Sequence, residues 1–326
     1  MAEWLVEEGI GETRAILVER GAIRAARIAW DTPLRAGLVA AAQVVSRRKG
    51  TKRGTVRFDD GGEALADMLP PESTEGSSVT VLVTRAAISE RGRTKLPQAR
   101  PAPGEAPRPA PSLAETLEGA KVIRVNAHDG RFDDAGWTEL VEEALRGEIA
   151  FPGGSLTVSP TPAMTLIDID GDEAPRALAL AAVPAIASAL LRLDLGGSVG
   201  IDFPTLPEKK DRQAVDSALA DTLGDWRGER TAMNGFGFVQ LVSRLERPSL
   251  VHLYSRKPSA AARILLRRAE RVSEPGALLL TAHPAVRRQV RAEWEAELSR
   301  RTGRGIVWRE EAGLALTAAF AQAIVP

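Results

Sequence analysis

The stretch MTLIDIDGDEAPRALALAAVPAIASALLRLDLGGSVGIDF, residues 164–203, decides the fold. MTLIDID alternates apolar and polar residues and predicts a strand; Ala179 to Leu193, stopped by Gly196-Gly197, predicts a helix; SVGIDF predicts a second strand. Such a strand, helix and strand make a βαβ unit, whose two strands are expected side by side and parallel. Pro184 is expected to kink the helix or to lie in its first turn. Because strand side chains alternate, Asp168 and Asp170 project to one side, and the parallel neighbour brings Asp202 beside them at the sheet edge where α/β sites form. Three carboxylates repel one another unless a hard cation neutralises them. Mg²⁺, with Mn²⁺ as its substitute, takes such oxygen ligands while keeping waters, polarises a phosphoryl oxygen and lowers the pKa of bound water. The plain alternative is a solvated acidic loop that caps the following helix.

Upstream, TRAILVERG, AIRAARIAW, LVAAAQVVSRR, GTVRFDD and VTVLVTRAA read as short strands with Gly-, Asp- and Ser-rich turns, which suits a small barrel. Six prolines between Pro97 and Pro111 predict an extended linker. Beyond it AKVIRVNA is a strand, Asp133 to Arg146 a helix with acids in its first turn, and SLTVSPTP a strand. Lys209 to Leu223 reads as a helix and FGFVQLVSRL as a strand. The tail alternates again: a basic helix from Ser259 to Val272, the strand GALLLTA, an amphipathic helix carrying Val286, Val290, Trp294 and Leu298, and the strand GIVWRE. The expected fold class is α/β (α+β) and multidomain: a mixed-sheet core with a βαβ unit, preceded by a small β-barrel and followed by a small α/β domain. The expected boundaries are 1–34 for N-terminal strands packing on the core, 35–97 for the barrel, 98–112 for the linker, 113–255 for the core and 256–326 for the C-terminal domain.

The 326 residues balance 43 basic against 43 acidic side chains, which taken whole argues against a nucleic-acid partner. By region the balance dissolves: residues 1–113 hold 17 basic and 14 acidic groups, 114–255 hold 13 and 22, and 256–326 hold 13 and 7. From Pro33 to Phe58 there is no acid, but Arg35, Arg47, Arg48, Lys49, Lys52, Arg53 and Arg57 are present. Cysteine is absent, which excludes disulfides, thiolate zinc sites and thiol nucleophiles. The three histidines, at 128, 252 and 283, are too scattered for a metal pair or relay. The N-terminus is acidic where a signal peptide is basic, and the most apolar stretch, Ala177 to Leu191, is short for a bilayer and contains Pro184. A cytoplasmic protein without a membrane span is expected.

Two motifs compete for DxDGD. An EF-hand loop starting at Asp168 needs Gly at its sixth and an acid at its twelfth position, where Glu173 and Ala179 stand. The other, the nucleophile motif of haloacid-dehalogenase-like phosphohydrolases, has Asp172 in place of its Thr or Val and remains the alternative enzyme reading. Taken together, ELVEEALRGEIAFPGGSLTVSPTPAMTLIDID, AIASALLRLDLGGSVGIDF, DRQAVDSALADTL, FGFVQL and RPSL, spread over residues 139–250, resemble the catalytic core of the ribonuclease E/G family in order and spacing.

The resemblance implies an endoribonuclease that cleaves single-stranded RNA by metal-activated water and leaves a 5′-phosphate, in RNA processing or decay. It matches Asp168 and Asp202 to the family's metal-binding aspartates, and places Asp170 where the family usually has Asn. It matches Arg230 to a basic residue near the active site. Residues 35–97 look like the family's OB-type S1 barrel. There Lys95 matches a backbone-facing basic residue, Phe58 is the aromatic platform or a core residue, and Arg53 and Arg57 lie in a basic run that either faces RNA or is a solvated loop. The family's 5′-sensor domain and paired-cysteine zinc link have no counterpart, so Mg²⁺ without zinc is expected, and a homodimer through the C-terminal domain stays open. The reading from another class is a non-catalytic RNA-binding or scaffolding protein of the same fold.

Overall fold

The computed structural model describes residues 2–90, 93–224 and 226–324; Arg91 and Gly92, in the segment likened to the end of the S1 barrel, lie outside them. The chain forms two compact units, each assembled from separated stretches of sequence. One comprises 1–31, 117–145 and 253–326, the other 32–116 and 146–252.

In the first unit Glu3–Gly9 pairs in parallel with Lys121–Val125 and antiparallel with Glu12–Glu19, which pairs with Ala22–Trp30. A second sheet orders Ile306–Glu310, Ala277–Ala282 and Phe320–Ile324. Its apolar face packs with helices Lys257–Glu270 and Ala292–Thr302 through Leu265, Leu266, Leu278, Leu280, Trp294 and Leu298. The basic helix after Ser259 turns much of its charge inward. Arg263 and Arg267 are buried. Arg263 lies 4.0 Å over the Trp30 ring and 4.6 Å over Trp294, and donates to the Gly11 carbonyl at 3.0 Å. Arg267 reaches Glu7 and Asp133 at 3.3 Å, while Glu7 accepts from the buried Arg14 at 2.6 Å. Charges removed from water persist only when paired, and this unit pairs them with each other and with indole faces.

The second unit opens with a closed five-stranded barrel of OB type, in the order Gln98–Pro101, Glu63–Ala66, Gly54–Arg57, Val39–Arg47, Ser78–Arg85. The strands at 12–30, expected outside the barrel within the 1–34 segment, belong to the first unit's sheet. The barrel draws on two short strands that carry no alternating apolar signal. Gln98–Pro101 comes from the Pro-rich stretch: it pairs in parallel with Glu63–Ala66 and antiparallel with Ser78–Arg85, with Pro101 as its last residue, where a missing N–H is tolerated. The barrel core contains Val44, Val56, Phe58, Leu69, Val81 and Val83.

A six-stranded sheet completes the unit. Its strands are β1 (Glu148–Phe151), β2 (Gly154–Pro160), β3 (Thr165–Gly171), β4 (Ser198–Asp202), β5 (Glu229–Arg230) and β6 (Phe238–Val242), in the order β1-β2-β3-β4-β6-β5. Helix α1 (Pro175–Arg192) crosses from β3 to the parallel β4, and α2 (Lys209–Leu223) follows β4. By length and composition α1 is able to cross a membrane. In this fold Leu178, Ala179, Ala182, Val183, Ile186 and Leu190 are buried, as the core-facing stripe of a crossover helix. Pro175 takes the first turn, where no N–H is needed, and Pro184 sits inside the helix on its exposed side.

His252, buried beside the Ser249 hydroxyl at 2.7 Å from Nδ1, is driven by burial from its ordinary 6.5 down to about 4, against the pull of Glu90 and with the push of Lys95. Between those values the unfolded chain binds a proton that the folded chain refuses, so stability is present above pH 6.5 and drains away as pH falls toward 4. The His252→Gln variant is expected to lose clearly less stability than the unmutated protein between pH 6.5 and 4.5, by up to about 3 kcal/mol in urea unfolding. An equal acid loss in both proteins would refute the assignment.

Candidate functional site

In β3 the side chains alternate as the sequence predicts: Ile167 and Ile169 are buried, while Asp168 and Asp170 are exposed. In β4, Val199, Gly200 and Ile201 are buried and Asp202 is exposed. The parallel register sets Asp168 directly against Asp202. On the other side of β3, Thr157 of β2 stands opposite Asp168, and Ser155 opposite Asp170. Beyond β4, Phe238 of β6 faces Asp202. A polar row therefore crosses three strands at the C-terminal ends of the parallel pair, the position that open α/β sheets use for ligands.

Close packing beneath this row needs a missing side chain. A Cβ on Gly200 would stand 2.5 Å from the Phe238 ring and 2.9 Å from the Met164 sulfur, so only glycine lets β6 close over β4 here. The corner that returns α1 to β4 is held by Arg247, whose Nε and Nη2 donate to the two Asp194 oxygens at 2.6 and 3.1 Å. Asp194 has a left-handed φ of 52°.

Adjacent strands lie about 4.8 Å apart, so Asp168 and Asp202 form a close carboxylate pair. Neither has a basic partner among the described residues. The donor set is all oxygen, without cysteine or histidine, and suits a hard divalent cation that keeps several waters and takes one or two carboxylates. Asp170 stands two residues further along β3, beyond the last residue of β4, and its Oδ1 accepts the Gly171 N–H at 3.0 Å. Among the described residues no three acidic, histidine or cysteine side chains are gathered as a metal site, so the preformed element is the Asp168–Asp202 pair.

The remaining expected site residues fall elsewhere. Arg230, on the edge strand β5, pairs with Asp216 of α2 at 2.7 Å, and Asp216 also accepts the Met233 N–H at 3.0 Å. Lys95 pairs with Glu90 and donates to the Pro162 carbonyl at 2.8 Å, in the turn that enters β3, at the opposite end of the strand from Asp170. In the barrel Arg53 pairs with Asp67 at 2.6 Å and Arg57 with Glu63 at 2.7 Å. Phe58, expected as either platform or core, is core: its ring is 7% exposed, packed with the barrel valines, and offers no face to a base. Arg48, Lys49 and Lys52 stay exposed in the turn between two barrel strands.

One exposed ring reads in sequence only as the start of the strand FGFVQLVSRL. Phe236 is 84% exposed in the turn before β6. The Asn234 side-chain oxygen accepts the N–H groups of Phe236 at 2.8 Å and Phe238 at 3.1 Å. The Phe203 N–H donates to the Gly237 carbonyl at 3.2 Å, docking this turn onto the residue after Asp202. The Asn-Gly-Phe-Gly string at 234–237 is a turn signal, but it says nothing about which sheet edge the turn adjoins.

Residues 110–244 match the model of the Ribonuclease E/G family. Over 146 residues the chain is 30% identical to the Ribonuclease G of Haemophilus influenzae, a match that covers 41% of this chain and 30% of that protein. The matched segment contains β1 to β6, α1, α2 and the Asp168–Asp202 pair. Residues 110–244 are thus similar to the ribonuclease E/G family, and the chain spans about a third of the length of the curated relative it matches.

Proposed function

We propose that the protein is a divalent-cation-dependent endoribonuclease acting on single-stranded RNA in the cytoplasm. The observation that carries this reading is the register of Asp168 against Asp202, inside the segment that matches the ribonuclease E/G family. These two carboxylates would hold Mg²⁺, or Mn²⁺ in its place. When bound, the ion supplies a Lewis acid that polarises a phosphoryl oxygen and lowers the pKa of its water. Asp170, with one oxygen held by the Gly171 N–H, has its other oxygen free to accept a hydrogen bond from the attacking water and orient it. The exposed Thr157 hydroxyl, opposite Asp168, is placed to donate to an RNA phosphate oxygen. Attack of water on phosphorus breaks the bond to the 3′-oxygen, which takes up the proton. The products are a 5′-phosphate and a 3′-hydroxyl.

The barrel supports RNA binding differently from the sequence expectation. With Phe58 buried and Arg53 and Arg57 paired, the exposed Arg48, Lys49 and Lys52 turn is its basic surface. Phosphate contacts from such a turn release counterions and make affinity salt-dependent.

The test is cleavage of an A/U-rich single-stranded RNA in Mg²⁺. Asp168→Asn and Asp202→Asn are each expected to lower the rate at least about 100-fold while leaving the circular dichroism spectrum unchanged. Undiminished cleavage by either variant removes the proposed site. Binding without cleavage by the unmutated protein would assign the fold to RNA holding, and hydrolysis of small phosphomonoesters alone would favour the phosphohydrolase reading. RNA affinity is expected to fall at least about tenfold between roughly 50 and 200 mM salt, read by fluorescence anisotropy; a flat response would remove the phosphate contacts. RNAs with 5′-monophosphate and 5′-triphosphate ends are expected to be cut at the same rate, and a marked preference for the monophosphate would contradict this.

A further inference from the structure

We propose that Phe236 is a base-stacking platform for the RNA nucleotide that adjoins the scissile phosphate, an inference that rests on the endoribonuclease reading above. Among the described residues Phe236 is the most exposed large apolar side chain, and the one exposed aromatic ring in the unit that holds the Asp168–Asp202 pair. Exposed aliphatic side chains are ordinary, but a phenyl ring left 84% in water adds almost nothing to the fold. Its exposure calls for a ligand with a flat apolar face.

The ring is presented on a fixed mount. Asn234 accepts the backbone N–H groups on both sides of Gly237, and its own N–H donates to the Phe238 carbonyl at 3.0 Å. Gly237 has a φ of 87°, and a Cβ there would stand 2.8 Å from the Phe203 carbonyl oxygen, so the turn presses against the backbone next to Asp202. A preorganised ring loses little freedom when a base settles on it. Phe236 lies at most about 7 Å of chain from Phe238, the residue directly opposite Asp202. Any base has a π-face, so stacking here holds a single strand without reading its sequence, which a duplex with its bases already stacked cannot exploit. With the Phe58 ring inside the barrel, Phe236 is the exposed ring among the described residues of this unit.

The experiment compares steady-state cleavage of a single-stranded RNA with one defined cut site by the unmutated protein and by Phe236→Ala, Phe236→Leu and Phe236→Trp. Each is also tested on RNAs carrying a single abasic nucleotide at successive positions around the cut. Phe236→Ala is expected to lower kcat/KM about tenfold, chiefly through KM, with Tm unchanged because the ring is exposed. Trp is expected to restore cleavage and Leu to fail, since a stacking face rather than bulk is needed. In the unmutated protein one abasic position should cost the same factor, and that position should cost nothing further in Phe236→Ala. If the unmutated protein cleaves but Phe236→Ala does so equally well, or if no abasic position is singled out, the platform is overturned while the endoribonuclease reading stands. If the unmutated protein neither binds nor cleaves RNA, both are overturned.

Discussion

The site depends on one constraint, the parallel register that puts Asp168 against Asp202. Strand side chains have a period of two, so a slip of one residue would turn one aspartate into the core and one isoleucine into water. Several independent features forbid that slip. Ile167 and Ile201 are both fully buried, and α1 covers the face they enter. Gly200 admits the Phe238 ring from the next strand, and Arg247 pins the corner at Asp194. Hydrophobic burial on the opposite face of the sheet thus holds the two carboxylates side by side.

Charge is organised by burial more than by count. The even balance of basic and acidic residues hides an acidic centre in sequence, and the structure sorts the basic residues further. Arg14, Arg263 and Arg267 spend their charge inside the first unit, on Glu7, Asp133, backbone carbonyls and tryptophan faces. Arg53 and Arg57 are neutralised by neighbours within the barrel, and Arg230 by Asp216 of α2. The basic residues left to face a polyanion are fewer than a count suggests, which makes the short Arg48–Lys52 turn more important to any RNA grip than its length implies.

The βαβ unit and its aspartates were legible because their signals are local: alternation, an apolar helical run, and a Gly-Gly stop that together determine a parallel pairing. Pairing between distant segments was not. The strands at 13–30 alternate like barrel strands, but they extend the sheet of Glu3–Gly9, which itself pairs with the distant Lys121–Val125. The strand at 98–101 was hidden by its prolines, because Pro97 flanks it and Pro101 ends it without interrupting the ladder between them. Phe58 stood between core and platform in sequence, and burial among valines decided for core. The inward turn of Arg263 and Arg267 was invisible for the same reason, since the partners that make burial tolerable, Glu7 and Trp30, are more than two hundred residues away in the chain.

That separation also bears on the order in which the molecule is made. The 32–116 and 146–252 unit has all its sequence by residue 252, whereas the other unit must wait for segments that begin at 253. On the ribosome, Glu7 and Arg14 emerge well before Arg267, which completes their buried cluster. The hairpins at 3–30 therefore wait through more than two hundred further residues of synthesis with a half-compensated charge cluster, and are sealed only when the segment from 253 arrives.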